Sequence, residues 1–303
     1  MKTHKKGNIR WVKKLYGKFL GSCLTLMIAT ALSQTALSIE NATLIDSAST
    51  FSKSDEPPCE KCAHFEFIGN AYSVEDNRLL YTEKHKITLT PSGQYLFALV
   101  KYSDDKGNIF AEKLVNFKEG LIAPSFEIYD KRMGKRTKVQ TDVSGNVNGS
   151  NNNSKNMDHK NRHNKTIVIQ KETKNVAKPT TKVVKDNRGE NIVIDAGFDQ
   201  FVTLNWADLL AGETIHFAFL AVDRGRLIEF TIDKTATTAT TVVFSINPNN
   251  FFINMLVKPI YLTYETKSKR LLEFKGLTNI ETVGAEGASG ENYTARIEYR
   301  YMQ

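Results

Sequence analysis

Cysteine, proline and tryptophan are scarce: 3, 7 and 2 in 303 residues. Three cysteines cannot build a disulfide-dense scaffold or a multi-thiolate metal cluster. Seven prolines exclude a polyproline architecture. After residue 39 no apolar run approaches the roughly 18 residues of a membrane helix, so no further span is expected there. Catalytic signatures are missing too. The chain has no G-x-S-x-G, no H-E-x-x-H, no phosphate-binding loop and no dinucleotide fingerprint.

Acid is missing from one place in particular. Residues 1–38 hold seven Lys or Arg and no Asp or Glu. An apolar run, Cys23 to Leu32, follows the basic segment, and Ala36-Leu37-Ser38 then places small residues where an export peptidase reads them. Basic, apolar, small is the order of a secretory signal, so 1–38 is expected to be a signal peptide and the protein periplasmic. An uncleaved segment tethering it to the inner membrane is the alternative, since residues 19–39 carry no charge. These residues also supply most of the formal charge of +8. Without them the chain is near neutral, and no nucleic-acid partner is expected.

What charge remains is uneven. Residues 131–188 carry fifteen basic and four acidic side chains, while the rest is acidic. Within this stretch, 144–164 is rich in Asn, Ser and Gly and almost free of apolar residues, too little to offset the entropy of ordering. The expected organisation is a loose lead-in over 39–63, a β-rich body over 64–131 and 190–303, and a basic, largely disordered insert over 132–189 with one strand near Thr166–Ile169. The insert is a candidate for contact with envelope surfaces.

Elsewhere short alternating segments predict strands, the clearest over 64–68, 78–90, 95–102, 109–117, 214–222, 226–233, 238–246, 260–265, 270–274 and 293–301. Asp104-Asp105-Lys106-Gly107-Asn108 is turn chemistry. Phe198, Phe201, Val202, Trp206, Leu209 and Leu210 fall on a helical stripe that Gly212 closes. Asn247-Pro248 predicts a second short helix, carrying Phe251, Phe252 and Met255. The fold class expected is mainly β: a strongly curved antiparallel sheet or partly closed β-barrel with two short α-helices. Tyr72-x5-Arg78-Leu79-Leu80 recurs in spacing as Tyr264-x5-Arg270-Leu271-Leu272, from duplicated hairpins or from chance.

Candidate chemistry is thin. Cys59 and Cys62 form a C-x-x-C that reads as a structural disulfide in an oxidising compartment, with redox and metal roles as alternatives. Tyr81, Glu83 and His85 share a strand face by the period of two, expected to be a polar outer face, with a Glu83–His85 acid–base pair as the sharper reading. Asp195 and Asp199 flank Gly197, where one is expected to cap the helix. His216 is expected on a wall or surface. The aromatic supply, 17 Phe and 11 Tyr, stands out. Lining a curved sheet, Phe217, Phe219, Phe251, Phe252 and Met255 would enclose an apolar ligand.

Leu79-Leu80-Tyr81-Thr82-Glu83-Lys84-His85, Ala111-Glu112-Lys113, Asp195-Ala196-Gly197-Phe198-Asp199 and Lys258-Pro259-Ile260-x-Leu262-x-Tyr264 together resemble an uncharacterised family of exported bacterial β-rich proteins with no assigned activity. The resemblance implies an exported β protein and assigns no site. The function expected is binding of an apolar or amphiphilic, lipid-like ligand. A structural or assembly role in the cell envelope is the second reading and an uncharacterised hydrolase the third. No cofactor or metal is expected.

Overall fold

The computed structural model describes residues 59, 61–142, 165–174, 176, 178–186, 191–249 and 258–302. Eight strands come first: β1 Ala63–Ser73, β2 Leu79–Leu89, β3 Tyr95–Ser103, β4 Ile109–Asn116, β5 Ser125–Asp130, β6 Lys135–Asp142, β7 Lys165–Thr173 and β8 Thr180–Asp186. A short β9, Ile192–Val193, leads into helices α1, Gly197–Leu204, and α2, Trp206–Ala211. Six strands complete the fold: β10 Ile215–Ala221, β11 Arg226–Thr237, β12 Thr241–Pro248, β13 Ile260–Glu265, β14 Leu271–Val283 and β15 Ser289–Tyr301.

All fifteen strands join one sheet, in the order β8-β7-β6-β5-β4-β3-β2-β1-β15-β14-β13-β12-β11-β10-β9. Two meanders are therefore zipped together by β1 and β15, the first and last strands, which pair from Phe67↔Tyr301 to Ser73↔Ala295. Pairing is antiparallel except at β9–β10, where the two helices supply the crossover that a parallel pair requires.

Local chemistry explains the meanders. The Asp104 side chain accepts from the backbone N–H groups of Lys106 and Asn108, and Gly107 takes the left-handed conformation that closes the β3–β4 turn. The repeated Tyr-x5-Arg-Leu-Leu motif is one hairpin used twice. Tyr72 pairs with Leu79 and Tyr264 with Leu271, each beside a register shift. Asn77 and Lys269 occupy the same left-handed position, at φ 59° and 57°. Ser73 N–H donates to Arg78 O at 2.8 Å, and Glu265 N–H to Arg270 O at 2.9 Å.

The sheet corrects the expected architecture. Its ladder ends at β8 on one side and β9 on the other, with no pairing between them among the described residues. Closure needs the end strands hydrogen-bonded to each other, so the strongly curved or partly closed antiparallel barrel gives way to an open sheet with one parallel pair. Alternating apolar residues specify strands; they do not specify whether the last strand meets the first.

A further expectation changes. Residues 132–189 were expected to be largely disordered with one strand near Thr166–Ile169; that strand is the centre of β7, and β6 and β8 flank it, with Val139, Ile167 and Ile169 buried. Pairing to β5 gives these Lys- and Thr-rich strands an ordered neighbour that composition alone does not reveal. Asn247-Pro248 closes β12, and the short helix expected after it falls on residues 250–257, outside the described ones. The two α-helices of the described residues are both cut from the single stripe predicted at about 198–210, broken at Asn205 and closed by Gly212 at φ 94°.

Buried residues gather in three clusters. One draws on β2 to β8 and on β9 and β10. The second packs Phe201, Val202, Trp206 and Leu209 of the helices against β10 to β13. The third surrounds Tyr81, Tyr102 and Phe110, near the β1–β15 seam.

Candidate functional site

Of the residues expected to line a ligand cavity, Phe217 and Phe219 pack into an aromatic group with Phe198, Phe201 and Phe230. Phe217 is buried, with its ring 5.0 Å from Phe201, 5.5 Å from Phe198 and 5.9 Å from Phe230. Phe219 meets Phe230 edge-on at 6.5 Å. Phe251, Phe252 and Met255 lie outside the described residues. Ring–ring packing at these separations is ordinary core cohesion. With no curved or closed sheet to enclose a ligand, the expected lipid-like binding function is overturned.

Cys59 and Cys62 form a disulfide, with Cα atoms 5.4 Å apart. Cys62 N–H donates to Cys59 O at 3.3 Å, so the bridge closes a single turn just before β1.

Charged groups are buried on the same sheet face. The Tyr81–Glu83–His85 face was expected to be an outer one; instead Tyr81 and Glu83 are buried. His85 Nε2 lies 2.9 Å from Glu83 Oε2, and Tyr299 donates its hydroxyl to that oxygen at 3.4 Å. Phe67 stacks on the imidazole at 4.2 Å. The acid–base pair imagined from sequence is thus a real contact. It lies against the rings of Phe67 and Tyr299, 4.2 and 6.1 Å from the imidazole.

A second group joins β4 to the loop before α1. Lys113 Nζ donates to Asp195 Oδ2 at 2.8 Å, and Asn279 Nδ2 to Asp195 Oδ1 at 2.6 Å. Both side chains of the ion pair are 7% exposed. Burial pushes the Lys113 ammonium toward the neutral form, but Asp195 and Tyr102 outweigh it and hold it well above the usual lysine range. Tyr102 is raised, mainly by burial. Asp195 adopts φ 43° and spends its carboxylate on Lys113 and Asn279, so it does not cap α1. Neither does Asp199, which accepts from the Tyr264 hydroxyl at 3.2 Å. Burial lifts the Asp199 carboxyl to about 6, against the opposing bond from Tyr264.

Sequence reasoning missed the Lys113–Asp195 pair. One signal was present: Lys113 alternates with Ala111 and Val115 on an apolar strand face, where an unpartnered charge would be costly. Its partner, 82 residues away, carried no local mark. His216 is exposed, as a surface position.

The two ends of the sheet differ. Ile192, Val193 and Ile194 are fully buried at the β9 end. There Ile194 N–H donates to Ile122 O at 3.0 Å, and a Cβ on Gly197 would strike that same carbonyl. The β4–β5 loop therefore seals this end. At the β8 end only Val184 and Asp186 are buried; Thr180, Thr181, Lys182, Val183 and Lys185 are exposed. Lys171 and Lys182 reach Asp223 Oδ1 and Arg224 O, at 2.8 and 2.7 Å, and tie this end to the β10–β11 turn. Lys135 reaches Glu281 at 2.6 Å. Residues 165–186 carry six lysines against two acids.

No family model and no curated protein matches the chain. Among solved structures it is similar to a beta-barrel-like protein of a domain of unknown function, DUF1849, from Brucella abortus. That likeness has a TM-score of 0.34 and 6% identity, and it covers 79% of this chain and 95% of that one. It is too loose to carry anything across.

Proposed function

We propose that this is an exported, non-enzymatic protein that works by contact, holding an anionic component of the cell envelope against the basic end of its sheet. The observation that carries the reading is the asymmetry between the sheet's ends: β9 is sealed, and β8 is exposed and flanked by lysines. A surface of one sign favours partners of the other through its summed field.

Export is supported by the basic–apolar–small order of residues 1–38 and by the Cys59–Cys62 bridge, which persists in oxidising compartments. Among the described residues no helix is long and apolar enough to cross a membrane. A contact role is also in keeping with the buried ionic groups Glu83, Lys113 and Asp199, each of which holds another side chain.

Reversing Lys178 and Lys185, both exposed, tests the reading. Lys178→Glu with Lys185→Glu should shift the protein from the envelope-associated to the freely released fraction, with its melting temperature unchanged. Unchanged association in the folded double variant would refute the basic end as the contact.

A further inference from the structure

We infer that the anionic partner is an extended acidic polypeptide that adds to β8 as one more strand of the sheet; this rests on the basic-end reading above.

Among the described residues strand β8 is terminal, paired on one side only, with β7 from Lys165↔Asp186 to Lys171↔Thr180. In an antiparallel strand, alternate residues aim their N–H and C=O groups to the two sides. The side away from β7 thus presents a row of backbone donors and acceptors, which is a template for another strand. The strand is also held firmly enough to be a template. Val184 and Asp186 are buried, and Lys182 is anchored on Arg224 O.

Side chains select the occupant. Thr181, Val183 and Lys185 share the outward face, with Val183 51% exposed. An added strand would lay its side chains beside these, and opposite charges on neighbouring strands stabilise whereas like charges do not. A second copy of β8 carries the same net positive charge and adds no acidic row to face Lys185, so self-pairing gains little. A segment alternating acidic and apolar residues fits, with an apolar side chain on Val183 and a carboxylate at Lys185. An anionic lipid surface would neutralise the lysines without supplying a matching row of backbone groups. The opposite end cannot serve, because β9 lies buried beneath the β4–β5 loop.

The test is hydrogen–deuterium exchange on the full chain. The probe is a synthetic peptide of alternating Glu and Val, beside the same composition broken by proline. The first peptide should slow amide exchange within residues 180–186 by about tenfold or more, and the proline-broken peptide should not. Lys185→Glu should abolish the slowing. Peptide binding without slowing in β8 would overturn strand addition and leave charge contact standing. Equal slowing by phosphatidylglycerol vesicles would overturn it in favour of a membrane surface. No binding of either peptide, while Lys178→Glu with Lys185→Glu still releases the protein from the envelope, would refute the polypeptide partner alone. Failure of that release would remove the basic-end reading beneath it.

Discussion

Lys113 and Asp195 hold two distant parts of the chain together through charges that have almost no water around them. Removing one partner of a buried pair costs about 3–5 kcal/mol, because the other is left ionised and alone. Lys113→Met should lower the unfolding free energy by about that much in urea titrations. Adding Asp195→Asn should recover most of the loss, since an amide can still accept from Asn279. Asp199 behaves differently. Its carboxyl is raised from the ordinary 3.8 to about 6, chiefly by burial. The folded state therefore favours the protonated form. That contribution is fully present below about 4 and is lost as pH rises through about 6. Urea midpoints measured at pH 4 and pH 7 should show Asp199→Asn gaining stability over the wild type at the higher pH. A gap between the two proteins that stays constant with pH would contradict this.

At the scale of elements, the seal over β9 depends on a glycine. Gly197 sits against Ile122 O so closely that a methyl group must displace backbone. Gly197→Ala should cost about 1–3 kcal/mol, as overpacking does, and should speed amide exchange at Ile194. This is also the scale at which the sequence was most readable. Alternation and turn residues marked most strands, and the Tyr-x5-Arg-Leu-Leu echo marked a hairpin that recurs down to its bulge and its left-handed residue. Strands β6 and β8 escaped because Lys and Thr signal loops when read alone, whereas the Ile-Val-Ile run of β7 between them was legible. The Lys113–Asp195 contact escaped because nothing local links a strand lysine to a loop aspartate 82 residues on. The packing of Phe217 was not legible for a related reason: an aromatic on a strand carries no local mark of the rings it will meet.

Across the whole molecule the strands are not equivalent. Among the described residues edge strand β8 has one neighbour, whereas β15 has β1 on one side and β14 on the other. Deleting residues 180–186 should leave a cooperative thermal transition at lower temperature, visible by circular dichroism. Deleting residues 289–303 should abolish the transition, because β1 and β14 lose their common partner. The β1–β15 seam also sets a clock. Among the described strands β1 comes first and β15 last, so the pair at the centre of the sheet joins the two most remote segments. Pairings this remote form slowly. Each meander, built from neighbouring hairpins, is therefore laddered before the seam that makes the two of them one sheet.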